Sequence, residues 1–285
     1  MNNRFTKYSL FLLFFTLITS LCAQEVSGVY HVRGNSPEGG TNYVLFPDNT
    51  FVVGYFGGMI TGTWKKNGDL ISFKNRVEPQ FVLYGRRSTI VKDTVNVRFN
   101  VRENQGVAVG FTRQEPAYLK YVFNKNANCF SYPYIHKQTE KVTDLYVATI
   151  PYNSACKTSA SAVFHFQNPE NFNEFILINL PDEYTEDINF SARIENDLLY
   201  FDTNLEGSTK RPLESLSEED SFYLKNYTQN SILPAMLEYG HEFFPYVEDP
   251  TVQYLIPFNR IEPTILKYLK IELVKGSFFY TTCEE

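Results

Sequence analysis

Hydrophobic and polar positions between residues 26 and 111 alternate in short runs separated by turn residues. The clearest alternation runs from Val95 to Arg102, where apolar residues occupy every second position. A period of two is typical of a strand with one buried face and one exposed face. After residues 103–106 a second apolar run extends from Val107 to Phe111, so the two runs predict a β-hairpin.

The runs upstream of residue 90 are shorter, and several are apolar on both faces. The turn signal Asn67-Gly68-Asp69 stands before the last of them. Strands at this spacing predict a meander that closes into a barrel or a sandwich. Because a meander at the surface would carry polar residues on one face, we expect a second layer to cover it. These predicted strands are Val29–Arg33, Tyr43–Phe46, Phe51–Phe56 and Leu70–Phe73.

The remainder of the chain is also rich in strand patterns and contains one helix candidate. The helix is predicted from Glu218 to about Leu233, because Ser217 offers a capping oxygen and the first turn is acidic. The dipeptide Asn196-Asp197 between two apolar runs predicts a hairpin over 190–201. A terminal hairpin is predicted with its turn at Lys275-Gly276.

These patterns together predict a mainly β protein with two consecutive domains. A barrel or meander is expected over residues 24–112. A β-sandwich-like half with one helix near 218–233 is expected over residues 113–285.

The first 23 residues have the layout of a secretory signal peptide. Arg4 and Lys7 precede an uncharged apolar run over 10–18, which is too short to span a bilayer comfortably. Cleavage after Ala23 would release a periplasmic or extracellular protein. The alternative is a lipid anchor on Cys22, but Leu21 stands where a lipoprotein signal carries a small residue. No later segment has the run of about 20 apolar residues that predicts a transmembrane span.

Export changes the interpretation of the cysteines. In an oxidising compartment, Cys129 and Cys156 are the predicted disulfide pair because they flank a predicted hairpin. Cys283 is then left over near the end of the sequence.

The net charge bears on the class of partner, and the aromatic content bears on the fold. The net charge of −6 argues against nucleic acid, whose phosphates would be repelled. The 25 Phe and 20 Tyr residues suit pleated, half-buried surfaces and therefore favour strands.

A family resemblance covers about residues 26–75. The chain carries, in order, Gly28-x-Tyr30, Leu45-Phe46-x-Asp48-x-Thr50-Phe51, Gly62-Thr63-Trp64 and Gly68-Asp69-Leu70-Ile71-Ser72-Phe73. This order resembles lipocalin-like small β-barrel domains of exported bacterial proteins of unknown function. The resemblance implies that the Gly-x-Trp opens a strand and that the indole plugs the barrel.

Four aromatic side chains are the candidate ligand-binding residues. Tyr30, Tyr43, Tyr55 and Trp64 would line the mouth of such a barrel, where they suit a small apolar or sugar-like ligand. Core packing is the competing interpretation, because large rings fill small barrels unaided.

Catalytic and metal signatures are not found in the sequence. The histidines at 31, 136, 165 and 241 lack chelating spacing, and the acidic clusters at 182–187 and 218–220 suit turns and helix starts. No cofactor is therefore predicted.

The sequence favours a non-enzymatic exported protein that binds a ligand or a protein partner. The alternative is a secreted, hydrolase-type enzyme whose site is assembled from distant carboxylates or histidines. An outer-membrane barrel is a third interpretation, against which the helix candidate and the proline-rich loops count.

Overall fold

The structure is a computed structural model that describes residues 26–33, 39–112, 117–126, 131–201, 204–229 and 233–281. It is mainly β, with 52% of residues in strands and 8% in helices, so the predicted fold class is confirmed. The predicted signal peptide, with Cys22, lies outside the described residues. No helix within the described ranges is long and apolar enough to cross a membrane.

The described residues form nineteen strands and two α-helices. The helices are α1 (Asp182–Thr185) and α2 (Glu218–Gln229), and a 3-10 turn covers Leu213–Ser215. The strands are β1 (Gly28–Val32), β2 (Thr41–Leu45), β3 (Thr50–Tyr55), β4 (Gly58–Asn67), β5 (Leu70–Asn75), β6 (Phe81–Arg86), β7 (Val95–Asn100), β8 (Val107–Gly110), β9 (Ala117–Phe123), β10 (Tyr134–Gln138), β11 (Asp144–Thr149), β12 (Lys157–Gln167), β13 (Glu174–Asn179), β14 (Asn189–Glu195), β15 (Leu198–Phe201), β16 (Asn204–Arg211), β17 (Met236–Leu237), β18 (Phe258–Ile261) and β19 (Thr264–Phe279).

The chain divides into two compact units, and each unit is built from two separate stretches of sequence. Unit 1 consists of Met1–Glu78 and Asp182–Ile232, and unit 2 consists of Pro79–Pro181 and Leu233–Glu285. This division differs from the predicted boundary at residue 112. The difference arises because strands far apart in sequence pair within each unit.

Unit 1 is a closed barrel of eight antiparallel strands. The strands follow one another around it as β1 to β5 and then β14 to β16, and β16 pairs with β1 to close the ring. Asn196 and Asp197 both have positive φ, 51° and 62°, as a two-residue hairpin turn of type I′ requires. The predicted hairpin over 190–201 is therefore confirmed as β14–β15.

A second layer covers the outer face of β1, β2 and β3. Val29, Val44 and Val52 pack there with Leu224 and Tyr227 of α2 and with other apolar side chains of the same cluster. The layer predicted from the two-faced apolar strands is thus present in unit 1.

The start of α2 matches the predicted cap. The Ser217 hydroxyl accepts a hydrogen bond from the Asp220 N–H at 3.0 Å and donates one to Asp220 Oδ2 at 2.7 Å. Three acidic residues occupy the first turn, where they favour the positive end of the helix dipole.

Unit 2 contains a six-stranded mixed sheet and a closed five-stranded barrel. The sheet order is β10-β7-β13-β6-β18-β17, and the barrel order is β11-β12-β19-β9-β8. The predicted hairpin over 95–111 is wrong, because β7 pairs with β10 and β13 whereas β8 pairs with β9 and β11. Gly106, at φ 65°, accepts a hydrogen bond from the Ile150 N–H at 2.9 Å. The connection before β8 is therefore tied to the barrel and does not fold back on β7.

The predicted terminal hairpin is also wrong. One continuous strand, β19, extends over Thr264–Phe279. Gly276 has a φ of 86°, and the pairing of β19 with β9 shifts register between Val274 and Ser277. The left-handed glycine therefore makes a β-bulge, which bends the strand without reversing it.

A buried arginine links the six-stranded sheet to the proline-rich segment of residues 234–257. Arg86 is 1% exposed, and its Nε donates to Glu174 Oε2 at 2.8 Å. Its Nη1 donates to the carbonyl oxygens of Tyr254 and Ile256 at 2.6 and 2.7 Å. The guanidinium carbon lies 4.2 Å from the centre of the Phe258 ring. One side chain therefore fixes a long segment that has little regular structure.

Unit 2 is expected to lose stability in alkali through Tyr134. Burial and the hydrogen bond to Glu103 raise the pKa of Tyr134 to about 12. An unfolded tyrosine has a pKa of about 10, so the folded state holds the proton more tightly. This contribution to the free energy of unfolding is complete below pH ~10 and is lost as the pH rises from ~10 through ~12. Urea unfolding of wild type and Tyr134→Phe across this range would measure it.

The matched control for this prediction is Tyr246→Phe, since Tyr246 is a strongly exposed tyrosine of the same unit. Wild type and Tyr246→Phe should lose stability in parallel, and Tyr134→Phe should lose less. Parallel loss in all three proteins would contradict the assignment to Tyr134.

Candidate functional site: the aromatic end of the barrel

The structure brings three of the four predicted ligand residues together inside the barrel of unit 1. Tyr30, Tyr43 and Trp64 belong to one interior cluster. Tyr55 is half-buried, and its hydroxyl donates to Glu183 Oε2 at 3.4 Å. It is not part of that cluster among the described side chains.

Tyr30 and Trp64 are packed and satisfied. The Tyr30 hydroxyl donates to the Val26 carbonyl oxygen at 2.7 Å, and the Trp64 Nε1–H donates to the Thr50 carbonyl oxygen at 3.0 Å. Both side chains are buried. Their polar atoms therefore complete the barrel core, as the competing interpretation of core packing requires.

Four rings form a cluster at one end of the barrel, which we call the aromatic end. They are Tyr43, Phe73, Phe190 and Phe201. Tyr43 and Phe201 stack with ring centres 4.3 Å apart, and Phe73 and Phe190 stack at 4.6 Å with an interplanar angle of 8°. Phe73 and Phe201 are buried, whereas Tyr43 and Phe190 stay half-buried.

Strand pairing places the four rings together. Tyr43 is the middle residue of the five-residue strand β2, and Phe201 ends β15. Phe73 lies directly opposite Phe190 across β5 and β14. Because neighbouring antiparallel strands run in opposite directions, these positions meet at the same end of the barrel.

The polar group at the aromatic end is the Tyr43 hydroxyl. Burial raises the pKa of this hydroxyl above the ordinary tyrosine value, which already keeps it protonated at neutral pH. It has no hydrogen-bond partner among the described residues. The aromatic end therefore combines ring faces with a neutral donor, which suits an uncharged ligand that has one flat apolar side.

Sequence reasoning found Tyr43 but missed Phe190 and Phe201. Both lie on the hairpin over 190–201, which was predicted correctly but assigned to the second domain. The alternation of apolar residues in that hairpin indicates that one of its faces is buried. Nothing in the sequence shows that the hairpin pairs with β5 and β16 to complete the barrel.

A second cluster lies in unit 2, where Asp144 and His165 form a dyad. His165 Nε2 lies 2.7 Å from Asp144 Oδ1, and the Thr143 hydroxyl donates to Asp144 Oδ2 at 2.9 Å. The imidazole stacks on Tyr146 with ring centres 4.3 Å apart. His165 also lines a cavity of about 520 Å³ together with Arg260, Glu262, Thr264 and six other residues.

The remaining sequence candidates do not form sites in the described parts of the chain. No group of three or more His, Cys, Asp or Glu there could hold a metal ion. The acidic clusters contribute the first turns of α1 and α2, as predicted. Cys129 and Cys283 lie outside the described residues, and Cys156 has a free thiol whose Sγ donates to the Leu273 carbonyl oxygen at 3.2 Å. The Cys129–Cys156 pairing thus stays a prediction.

Comparison with known proteins does not assign a family. The resemblance of residues 26–75 to lipocalin-like barrels stays a prediction, and the function is inferred from the aromatic end and the dyad. The chain matches no protein-family model, and no curated protein or solved structure matches it significantly.

Proposed function

We propose that the protein is an exported, non-enzymatic binding protein whose barrel receives a small apolar or sugar-like ligand at the aromatic end. The observation that carries this proposal is the pair of close ring stacks in which Tyr43 and Phe190 remain half-buried. Export is supported by the layout of the first 23 residues.

The position of the ligand follows from how the interior is filled. Phe51, Phe73 and Trp64 occupy the interior as buried side chains, as is usual in an eight-stranded barrel. The ligand therefore rests on the rings at the end of the barrel, with a flat face against Tyr43 or Phe190. The Tyr43 hydroxyl can donate a hydrogen bond to an oxygen of that ligand.

Trp64 provides a built-in reporter for binding. It is the only tryptophan of the chain, and it lies opposite Phe73 across β4 and β5. A ligand that shifts the Phe73–Phe190 stack should therefore change the emission of Trp64.

Native mass spectrometry of protein purified from its own source is expected to show an excess mass that is lost on denaturation. Tyr43→Ala should remove this mass, because it deletes a ring face and the hydroxyl together. The matched control is Tyr55→Ala, since Tyr55 is a half-buried tyrosine of unit 1 outside the interior cluster. Loss of the ligand in both variants, or in neither, would refute the aromatic end as its site.

A second candidate function is hydrolysis at the dyad of unit 2. Asp144 holds the imidazole of His165 through Nε2, which leaves Nδ1 to take a proton from water. Asp–His pairs that orient a general base occur in hydrolases, although there the carboxylate holds Nδ1 and Nε2 is the base. The dyad thus gives the enzyme alternative a specific location.

The probe for this second function is p-nitrophenyl acetate. If the dyad is catalytic, His165→Asn should lower the rate of ester hydrolysis by roughly 10²–10⁴-fold. His136→Asn is the control, because His136 lies in the six-stranded sheet and stacks on Phe111. A wild-type rate no faster than that of either variant would show that the dyad only supports the strand pair.

A further inference from the structure

One exposed surface of unit 2 combines cations, hydroxyls and an aromatic ring, and we call it the lysine–tyrosine face. It is formed where β12 pairs with β19, around a depression of about 710 Å³. The residues that define it are Lys157, Ser159, Lys267, Tyr268, Lys270 and Glu272.

The charge of this face is opposite to that of the chain. Three lysines and one glutamate line it, whereas the whole chain carries a net charge of −6. Lys157 Nζ lies 3.8 Å from Glu272 Oε2, and the lysine side chain is strongly exposed. Such an exposed pair contributes little to stability, so the lysines are available to an anion.

Tyr268 has an unusual backbone conformation for its type. Its φ is 55°, and every other described non-glycine residue with positive φ is an asparagine or an aspartate. Those two residues tolerate the left-handed region, whereas a bulky side chain is strained there.

The strain at Tyr268 is not offset by packing, because the residue is 77% exposed. Residues held in strained backbone conformations cluster at active sites and ligand-binding sites. The ring is therefore presented at the depression as an open platform.

We propose that the lysine–tyrosine face binds an anionic sugar chain, independently of the aromatic end of the barrel. The Tyr268 ring stacks on the apolar face of one sugar ring. Lys267 and Lys270 pair with its carboxylates or sulfates, and the hydroxyl of Ser159, which lies opposite Lys270 across the strand pair, meets a sugar hydroxyl. An anionic membrane surface is the alternative occupant, and binding to lipid vesicles would reveal it.

Affinity electrophoresis of the folded protein would test this proposal with four probes: polygalacturonate, heparin, neutral dextran and vesicles of phosphatidylglycerol. Retardation by polygalacturonate or heparin is the expected result, and comparison of the two identifies the preferred anion. Binding should weaken with salt, and Lys267→Gln with Lys270→Gln should flatten that dependence.

The decisive variant is Tyr268→Asn, since asparagine suits the left-handed backbone and lacks the ring. We expect binding about tenfold weaker, as for a lost ring stack, together with a higher melting temperature because the strain is relieved. Tyr280→Asn is the control, at 72% exposure on the same unit.

Three results would overturn the proposal. These are retardation by dextran as strong as by the anionic polymers, binding to vesicles alone, and equal weakening by Tyr268→Asn and Tyr280→Asn. The ligand of the aromatic end is tested separately, by native mass spectrometry of Tyr43→Ala. Failure of the sugar-binding proposal would therefore not contradict the proposed function of the barrel.

Discussion

Arg86→Met is expected to destabilise unit 2 by about 3–5 kcal/mol, the usual result of removing one partner of a buried ion pair. The substitution leaves the carboxylate of Glu174 without its cation and the carbonyl oxygens of Tyr254 and Ile256 without a donor. Methionine fills much of the space but replaces none of these hydrogen bonds. Hydrogen–deuterium exchange in β6 and β13 would measure the loss, because those amides are protected by the sheet that Arg86 supports.

The neighbouring residue provides the control. Arg87 is exposed, and its Nη2 donates to the Glu170 carbonyl oxygen at 2.7 Å. Arg87→Met should change the free energy of unfolding by no more than about 0.5 kcal/mol. If exchange in β6 and β13 were equal in the two variants, Arg86 would not hold unit 2 together.

Phe73→Ala is expected to destabilise unit 1 by about 3–5 kcal/mol, as for other buried phenylalanines truncated to alanine. Phe73 is 1% exposed, meets Phe51 edge to face at 5.2 Å and stacks on Phe190. The cavity left by its ring lies beside Trp64, so urea unfolding followed by tryptophan emission would report the loss directly.

Phe56→Ala is the matched substitution at a surface position of the same unit. Phe56 is 73% exposed, so its truncation should alter the free energy of unfolding by about 0.5 kcal/mol or less. Similar midpoints for Phe73→Ala and Phe56→Ala would mean that the ring cluster does not stabilise the barrel.

Elements that depend on neighbouring residues could be predicted from the sequence. The Asn196-Asp197 turn needs two residues that tolerate positive φ, and the sequence supplies both. The start of α2 needs a side-chain acceptor at Ser217 and acidic residues after it. Each of these requirements is met within four residues, so local chemistry is sufficient to predict them.

Pairings between distant strands could not be predicted in the same way. The alternation in β7 and β8 shows that each strand has a buried face but not which sheet covers it. Gly276 shows that a left-handed residue is present, yet turns and bulges both use one. The partner β9 decides between them, and it lies far away in sequence.

The candidate site likewise contains one residue that local sequence could indicate and others that only long-range strand pairing places there. Tyr43 could be proposed because it lies on a barrel strand near the resemblance motifs. Phe190 joins it only through the register of β14 on β5, where it faces Phe73. The register between two strands so far apart in sequence follows from the whole fold. The positions of Phe190 and Phe201, two of the four rings of the aromatic end, could therefore not be predicted from the sequence.

The closing contact of the barrel, between β1 and β16, also sets an order of events during synthesis. Val29 pairs with Arg211, so β1, the first strand of unit 1 to be synthesised, cannot form this pairing until β16, the last strand of the unit, has been synthesised. Until then, β1 and β5 are open edges that can pair with other chains. Because each unit needs residues from both halves, neither can mature while the ribosome is still producing the first half. Each unit can therefore reach its native form only after its second stretch of sequence has been made, and until then its open strand edges must be kept from pairing with other chains.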